Sequence, residues 1–112
     1  MLTGSFKRDS EISETDFRGS MQPRFSGDAY AANLALVDKI LALGKSLGVS
    51  AAEIALAWVM AKQDNVFPIA GTTKLASMEL TLSIDVITTL NALADQVVGA
   101  RYNEQGMTII NA

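Results

Sequence analysis

The short apolar stretch VFPIAGTTK, at positions 66–74, limits the possible folds more than any other feature of the sequence. Residues 66–69 predict a buried strand, even though Pro68 has no N–H to give to a strand ladder. A single strand cannot form a sheet, because its backbone N–H and C=O groups need neighbouring strands as partners. We interpret no other stretch of the chain as a strand. The sequence therefore predicts a piece of a larger fold.

Residues 28–62 predict two consecutive helices. The first begins at Asp28, has Lys45 in its last turn and stops at Gly48. Its apolar residues recur at helical spacing: Tyr30, Leu34, Val37, Ile40, Leu41 and Leu47.

The second helix begins with a capping box, in which Ser50 and Glu53 bond each other's backbone N–H groups. The following residues, IALAWVMA, are apolar on every face, which is typical of a helix buried between other layers. Trp58 is interpreted as a core residue rather than a ligand contact, because an indole buries a large apolar area. A domain of only three helices would leave part of this apolar surface uncovered, which also indicates a piece of a larger fold.

The remaining segments complete a mostly α fold class with one short strand. Residues 1–27 read as an irregular loop with at most one helical turn, 83–97 as a helix ended by Gly99, and 98–112 as a tail. The basic residues of the loop alternate with acids and are interpreted as solvated surface: Lys7, Arg8, Arg18 and Arg24.

Composition restricts the function classes. The net charge of −3 argues against nucleic-acid binding, and no apolar run approaches the length of a membrane span. The chain has no cysteine and no histidine, which excludes disulfides, thiolate catalysis and Cys- or His-based metal sites. We predict no metal site, no signal peptide and a cytoplasmic location.

The end of the opening stretch, Gly71-Thr72-Thr73-Lys74, has two interpretations. Glycine lets a ligand approach the backbone, hydroxyl and N–H groups donate to an anion, and lysine adds positive charge. The alternative, which the four residues taken alone favour, is an ordinary polar turn with an exposed lysine.

Several stretches together resemble the C-terminal part of the aldo-keto reductase family, in family order and over nearly the whole chain. The most diagnostic pair is ALAWV followed by PIAGTTK. The stretches are LTG (2–4), DFR (16–18), PRF (23–25), NLALVDKI (33–40), GVSAAEIALAWVMAK (48–62), VFPIAGTTK (66–74) and GARY (99–102).

The resemblance implies a (β/α)8 TIM barrel, of which residues 1–112 would be a partial, C-terminal portion. The chain would begin in the loop after strand 7. Residues 28–62 would form helical layer 7, residues 66–69 strand 8, and residues 83–97 helix 8.

The resemblance also implies NADP(H)-dependent reduction of aldehydes and ketones to alcohols. The family's catalytic tyrosine, Asp, Lys and His come from earlier strands, so we expect no catalytic residue here; Tyr30 and Tyr102 do not lie in the catalytic context. Part of the NADP(H) site is implied in two places. Gly71, Thr72, Thr73 and Lys74 match the turn that holds the 2′-phosphate, and Leu2, Thr3 and Gly4 match the loop along the pyrophosphate.

The sequence departs from the family pattern after Lys74. Ser77 stands where a basic residue is common, no Glu-Asn pair follows, and the segment is shorter by several residues. Ser5 stands where a lysine often follows the glycine. These differences imply a weaker contact with the adenosine end of the cofactor.

Three hypotheses follow. In the first, the chain is part of a reductase, inactive alone, whose carbonyl substrate binds only in a completed barrel. In the second, it is a non-catalytic helical interaction module that self-associates through apolar faces or complements a partial barrel. In the third, it is a regulatory subunit that retains nucleotide binding. The substrate is not readable from these residues.

Overall fold

The fold is described from a computed structural model that covers residues 1, 12–13, 15–71 and 79–110. Within these residues the fold consists of five α-helices and a 3-10 turn. No described residue lies in a β-strand. The helices are α1 (Phe17–Met21), α2 (Gly27–Leu47), α3 (Ala51–Met60), α4 (Ile84–Ala94) and α5 (Glu104–Ile110), and the 3-10 turn is Pro23–Phe25.

Helices α2 and α3 lie where the sequence predicts two helices. The predicted cap at Asp28 is wrong: α2 begins at Gly27, after Ser26, and Asp28 lies within its first turn. Local signals set the end of α2 and the start of α3. Gly48 closes α2 in the left-handed conformation (φ 71°), which glycine adopts without steric cost. The predicted capping box at the start of α3 is confirmed: Ser50 Oγ accepts from the Glu53 N–H at 3.2 Å, and the Ser50 N–H donates to the Glu53 carboxylate at 2.8 Å.

The core lies between α2, α3 and α4. Ile54 is fully buried, and the other buried apolar residues on these helices are Leu34, Leu36, Val37, Ala51, Ala57 and Leu90. Leu41 and Leu47, which the helical spacing placed on the apolar stripe of α2, are 44% exposed. Only part of that stripe is therefore covered in the described chain.

The predicted strand at 66–69 has no strand assignment in the structure. The segment leaves α3 through a turn in which the Val66 N–H donates to the Gln63 carbonyl oxygen at 3.2 Å, and then runs without regular structure to Gly71. The physical reason is that a strand needs neighbouring strands as hydrogen-bond partners, and none of the described residues supplies one.

The chain ends differ from the sequence interpretation. The predicted loop 1–27 contains α1, whose N-terminus is capped by the Asp16 carboxylate. Hydrogen bonds from the Arg18 side chain, then its backbone N–H, lower the pKa of Asp16 to about 2. The predicted tail 98–112 contains α5, whose first turn is closed by a bond from the Gly106 N–H to Asn103 Oδ1 at 3.0 Å.

One buried side chain joins the two ends of the fold. Asn33, on α2, is 5% exposed. Its Oδ1 accepts from the Val98 N–H at 2.9 Å, and its Nδ2 donates to the carbonyl oxygens of Val98 at 2.8 Å and Arg24 at 3.4 Å. Asn33 thus ties α2 to the 3-10 turn and to the segment after α4.

Gly99 lets that segment approach the 3-10 turn closely. The predicted helix 83–97 ends at Ala94, so Gly99 does not end it. Gly99 has φ 87°, and a Cβ there would lie 3.2 Å from the Arg24 backbone nitrogen and 3.3 Å from the Pro23 carbonyl carbon. Beside it, the Arg24 Nε donates to the Gly99 carbonyl oxygen at 3.0 Å.

Helix α4 is also tied to α3. The Trp58 Nε1–H and the Lys62 ammonium both donate to Asn91 Oδ1, at 2.9 Å and 2.6 Å. The Lys62 nitrogen lies 4.2 Å from the centre of the Trp58 ring, a cation–π distance.

Within the described part of the chain, no single helix is both long and apolar enough to cross a bilayer. Helices α2 and α3 reach that length and apolarity only as a pair, and the chain bends by 93° between them.

Replacing Asn33 with alanine is expected to lower the free energy of unfolding by about 1–3 kcal/mol, because it removes the hydrogen bonds of a buried carboxamide to the backbone of Val98 and Arg24. Denaturant unfolding followed by circular dichroism measures the change. Asn65→Ala is the matched control, since Asn65 is exposed and should shift the value by less than about 0.5 kcal/mol. Equal losses in the two variants would contradict the role given to Asn33.

A comparison of Gly99 with Gly27 separates the effect of the close contact with the 3-10 turn from the effect of a positive φ. Gly27 also has a positive φ, 52°, but a Cβ there would meet nothing within 4 Å. We expect Gly99→Ala to destabilise the protein by about 1–3 kcal/mol more than Gly27→Ala, because only the first variant also overpacks the contact with the 3-10 turn. Thermal or denaturant melts of both variants measure the difference, and indistinguishable losses would rule out the close contact.

Candidate functional site

The extended segment 66–71 leads into the candidate phosphate-binding turn. Its side chains alternate in exposure, as they would along a strand: Phe67 is 82% exposed and Ile69 fully exposed, while Val66, Pro68 and Ala70 are half-buried. Two large apolar side chains therefore point away from the rest of the described chain.

Gly71 is the only predicted cofactor contact among the described residues. It is exposed, and a Cβ built on it would meet no atom within 4 Å, so a ligand could reach its backbone. The other predicted contacts lie outside the described residues: Leu2, Thr3, Gly4, Thr72, Thr73 and Lys74. Ser5 and Ser77 lie outside them as well.

The two tyrosines pack locally. Tyr30 stacks on Phe25 with ring centres 6.5 Å apart, and the Arg101 guanidinium lies 5.5 Å from the centre of the Tyr102 ring. No group of three or more acidic residues that could hold a metal ion occurs among the residues that the structure places.

An apolar cavity of about 510 Å³ opens between α2, α3 and α4. Its walls are formed mainly by Leu36, Val37 and Ile40 of α2, by Ile54, Ala55 and Trp58 of α3, and by Leu90, Leu93, Ala94 and Val97 from α4 and the turn after it. Met1, Arg24, Phe25 and Asn33 complete the lining. Trp58, which the sequence assigned to the core, is half-buried and faces this cavity.

Arg24 is the one charged side chain in the described cavity lining. The sequence interpretation placed it on a solvated surface, but it is half-buried and fixed by Gly99. The sequence also gave no role to Asn33, Lys62 or Asn91. Asn33 bonds to residues 9 and 65 positions away, and Lys62 and Asn91 are 29 positions apart, so no pattern within one helical turn marks them.

Comparisons with known proteins identify the family to which these residues belong. The model of the aldo/keto reductase family matches residues 1–95. The aldo-keto reductase yakc [NADP(+)] of Schizosaccharomyces pombe is 31% identical over 110 residues, covering 90% of this chain and 32% of the relative. The aldo-keto reductase str7 of Strobilurus tenacellus is 25% identical over 121 residues, covering 100% of this chain and 36% of the relative.

A probable aldo-keto reductase 1 of Glycine max is 35% identical over 57 residues, which is 51% of this chain and 16% of that protein. No solved structure matches the chain. The chain thus spans about a third or less of the length of these relatives. The stretch aligned with the Strobilurus protein is longer than this chain of 112 residues, so that relative has residues without a counterpart here.

The match of the family model over most of the chain, together with relatives that align along nearly all of it, shows that this protein belongs to the aldo/keto reductase family.

Proposed function

We propose that this chain supplies one wall of the NADP(H) site of an aldo-keto reductase that reduces aldehydes and ketones to alcohols. The observation that carries the proposal is the family match over residues 1–95, which includes the extended segment and the Gly71–Lys74 turn at its end. The name of the Schizosaccharomyces relative, which includes NADP(+), supports the choice of cofactor.

The residues of the turn suit a phosphate. The open space at Gly71 admits an anion close to the backbone, and the hydroxyls of Thr72 and Thr73 are hydrogen-bond donors. The Lys74 ammonium adds a charge-assisted contact, which is stronger than a neutral one. Leu2, Thr3 and Gly4 would lie along the pyrophosphate. The cofactor would supply the hydride, and these residues would bind and orient it.

This chain alone is proposed to be inactive. The sequence contains no histidine, and neither tyrosine lies in the family's catalytic context. Compared with the family pattern, the segment after Lys74 is shorter and lacks the Glu-Asn pair, so we infer a weak contact with the adenosine. We therefore expect the chain to bind NADPH weakly and to recognise mainly its 2′-phosphate.

Titration of the isotope-labelled chain with NADPH and NADH tests this proposal by NMR. NADPH should shift the amide signals of 71–74 at millimolar concentration, and NADH, which lacks the 2′-phosphate, should bind about tenfold more weakly, equivalent to 1.4 kcal/mol. Lys74→Ala should remove the difference, whereas Lys45→Ala, at an exposed lysine of α2, should preserve it.

Two outcomes would contradict the proposal separately. Equal binding of the two nucleotides at 71–74 would exclude the phosphate-binding turn. Steady, carbonyl-dependent oxidation of NADPH by the purified chain would exclude its inactivity.

A second candidate function is a non-catalytic interaction module that self-associates. The supporting observation is the exposure of Phe67 and Ile69 on an extended segment whose residues 67–71 have no backbone hydrogen bond to other described residues. Such segments tend to pair with other strands.

Sedimentation velocity tests self-association. If the extended segment mediates it, the wild-type chain should form dimers or larger species at micromolar concentration. The double variant Phe67→Ser, Ile69→Ser should shift the dissociation constant upward by at least about tenfold, because burial of two large apolar side chains is lost.

Ile84→Ser is the control, because Ile84 is 75% exposed but lies on α4, outside this segment. A compact wild-type monomer at all concentrations, or equal effects of the two sets of substitutions, would rule this function out.

A further inference from the structure

The cavity between α2, α3 and α4 has the properties of a small-molecule site. Its volume of about 510 Å³ lies within the range of about 300–1,000 Å³ that is usual for ligand pockets. Its lining is almost entirely apolar, and one indole, Trp58, forms part of the wall. Apolar cavities of this kind hold apolar ligands better than they hold water.

The charge of the lining selects the kind of ligand. Arg24 brings a positive charge, and no acidic side chain lies among the described lining residues. Asn33 is not available to a ligand as a donor or acceptor, because its carboxamide is already bonded to Val98 and Arg24.

The Arg24 guanidinium is held in place by one hydrogen bond and retains N–H groups that can donate to a ligand. Its Nε donates to the Gly99 carbonyl oxygen, and its two terminal nitrogens have no hydrogen-bond partner among the described residues. No side-chain nitrogen or oxygen in the described chain is buried without a partner, so these two nitrogens are accessible to solvent. A guanidinium with two free N–H edges is suited to a carboxylate.

We propose that this cavity binds an amphipathic carboxylate with a single aliphatic chain, such as a medium-chain fatty acid. The chain lies between α2, α3 and α4, and the carboxylate accepts hydrogen bonds from the Arg24 guanidinium. The size agrees: a methylene group occupies about as much space as a water molecule, ~30 Å³, so a ten-carbon chain needs roughly 300 Å³.

The test is titration of the purified full chain with decanoate below its micelle concentration. Trp58 is the only tryptophan and lines the cavity, so its fluorescence reports occupancy directly. We expect a saturable change with one decanoate per chain. Decanol and decyltrimethylammonium should bind at least about tenfold more weakly, because neither pairs with a guanidinium.

Variants locate the two parts of the site. Ala55→Phe should abolish binding of both decanoate and decanol by filling the cavity. Arg24→Gln should reduce decanoate binding to the level of decanol. Arg101→Gln should change neither, because Arg101 is exposed and does not line this cavity.

Circular dichroism checks that each variant folds, and the comparison of decanoate with decanol on the wild-type chain decides the carboxylate question without any variant. Equal affinities for decanoate and decanol would overturn the role of Arg24. Undiminished decanoate binding by a folded Ala55→Phe variant would overturn the location. A dimer whose cavity excludes decanoate would instead assign the cavity to a second copy of the chain, and would also overturn the proposal.

Discussion

The hydrogen bonds of the Asn33 carboxamide hold together parts of the chain that local sequence does not connect. Asn33 lies near the start of α2, beside buried Leu34, and bonds to backbone groups on both the 3-10 turn and the segment after α4. A buried carboxamide contributes to stability only when its groups are satisfied. Its partners are therefore held in position, and both Asn33 and Arg24 belong to the lining of the apolar cavity.

The helical core that Asn33 holds together bears on both proposed sites, the apolar cavity and the Gly71–Lys74 segment. Val98, after α4, bonds to Asn33 of α2, and Asn91 of α4 bonds to Trp58 of α3, so hydrogen bonds link the three helices that line the cavity. On the other side of α3, the chain leaves the helical core and runs extended to Gly71. The predicted phosphate contact at Gly71 thus follows a segment that is half-buried at Val66, Pro68 and Ala70 but has no strand partner among the described residues.

Local sequence signals predicted the local structure well. The capping box of Ser50 and Glu53 and the stop at Gly48 are determined by residues within one helical turn, and both are present. The N-cap at Asn103 belongs to the same class of signal and marks the start of α5, within the segment that the sequence analysis predicts as a tail. Contacts such as Asn33 with Val98 depend on packing between distant segments, which no spacing rule reports.

The candidate site was predictable only in part. The family resemblance identified the Gly71–Lys74 turn, and the family match supports the assignment of the chain, but only Gly71 lies among the described residues. The strand at 66–69 is predicted from its apolar side chains. A strand forms, however, only when its backbone N–H and C=O groups bond to a neighbouring strand. Arg24 was read as solvated because its charge, and not its partner at Gly99, is visible in the sequence.

Amide hydrogen exchange on the dilute full chain tests whether hydrogen bonds hold the helical core together while residues 66–71 stay extended without strand partners. We expect strong protection at Leu36, Val37, Ala57 and Leu90, within the buried parts of the helices, and almost no protection at Phe67, Ile69 and Ala70. Protection of these three amides comparable to that of the core, in a monomeric sample, would instead show that the chain completes the strand by itself.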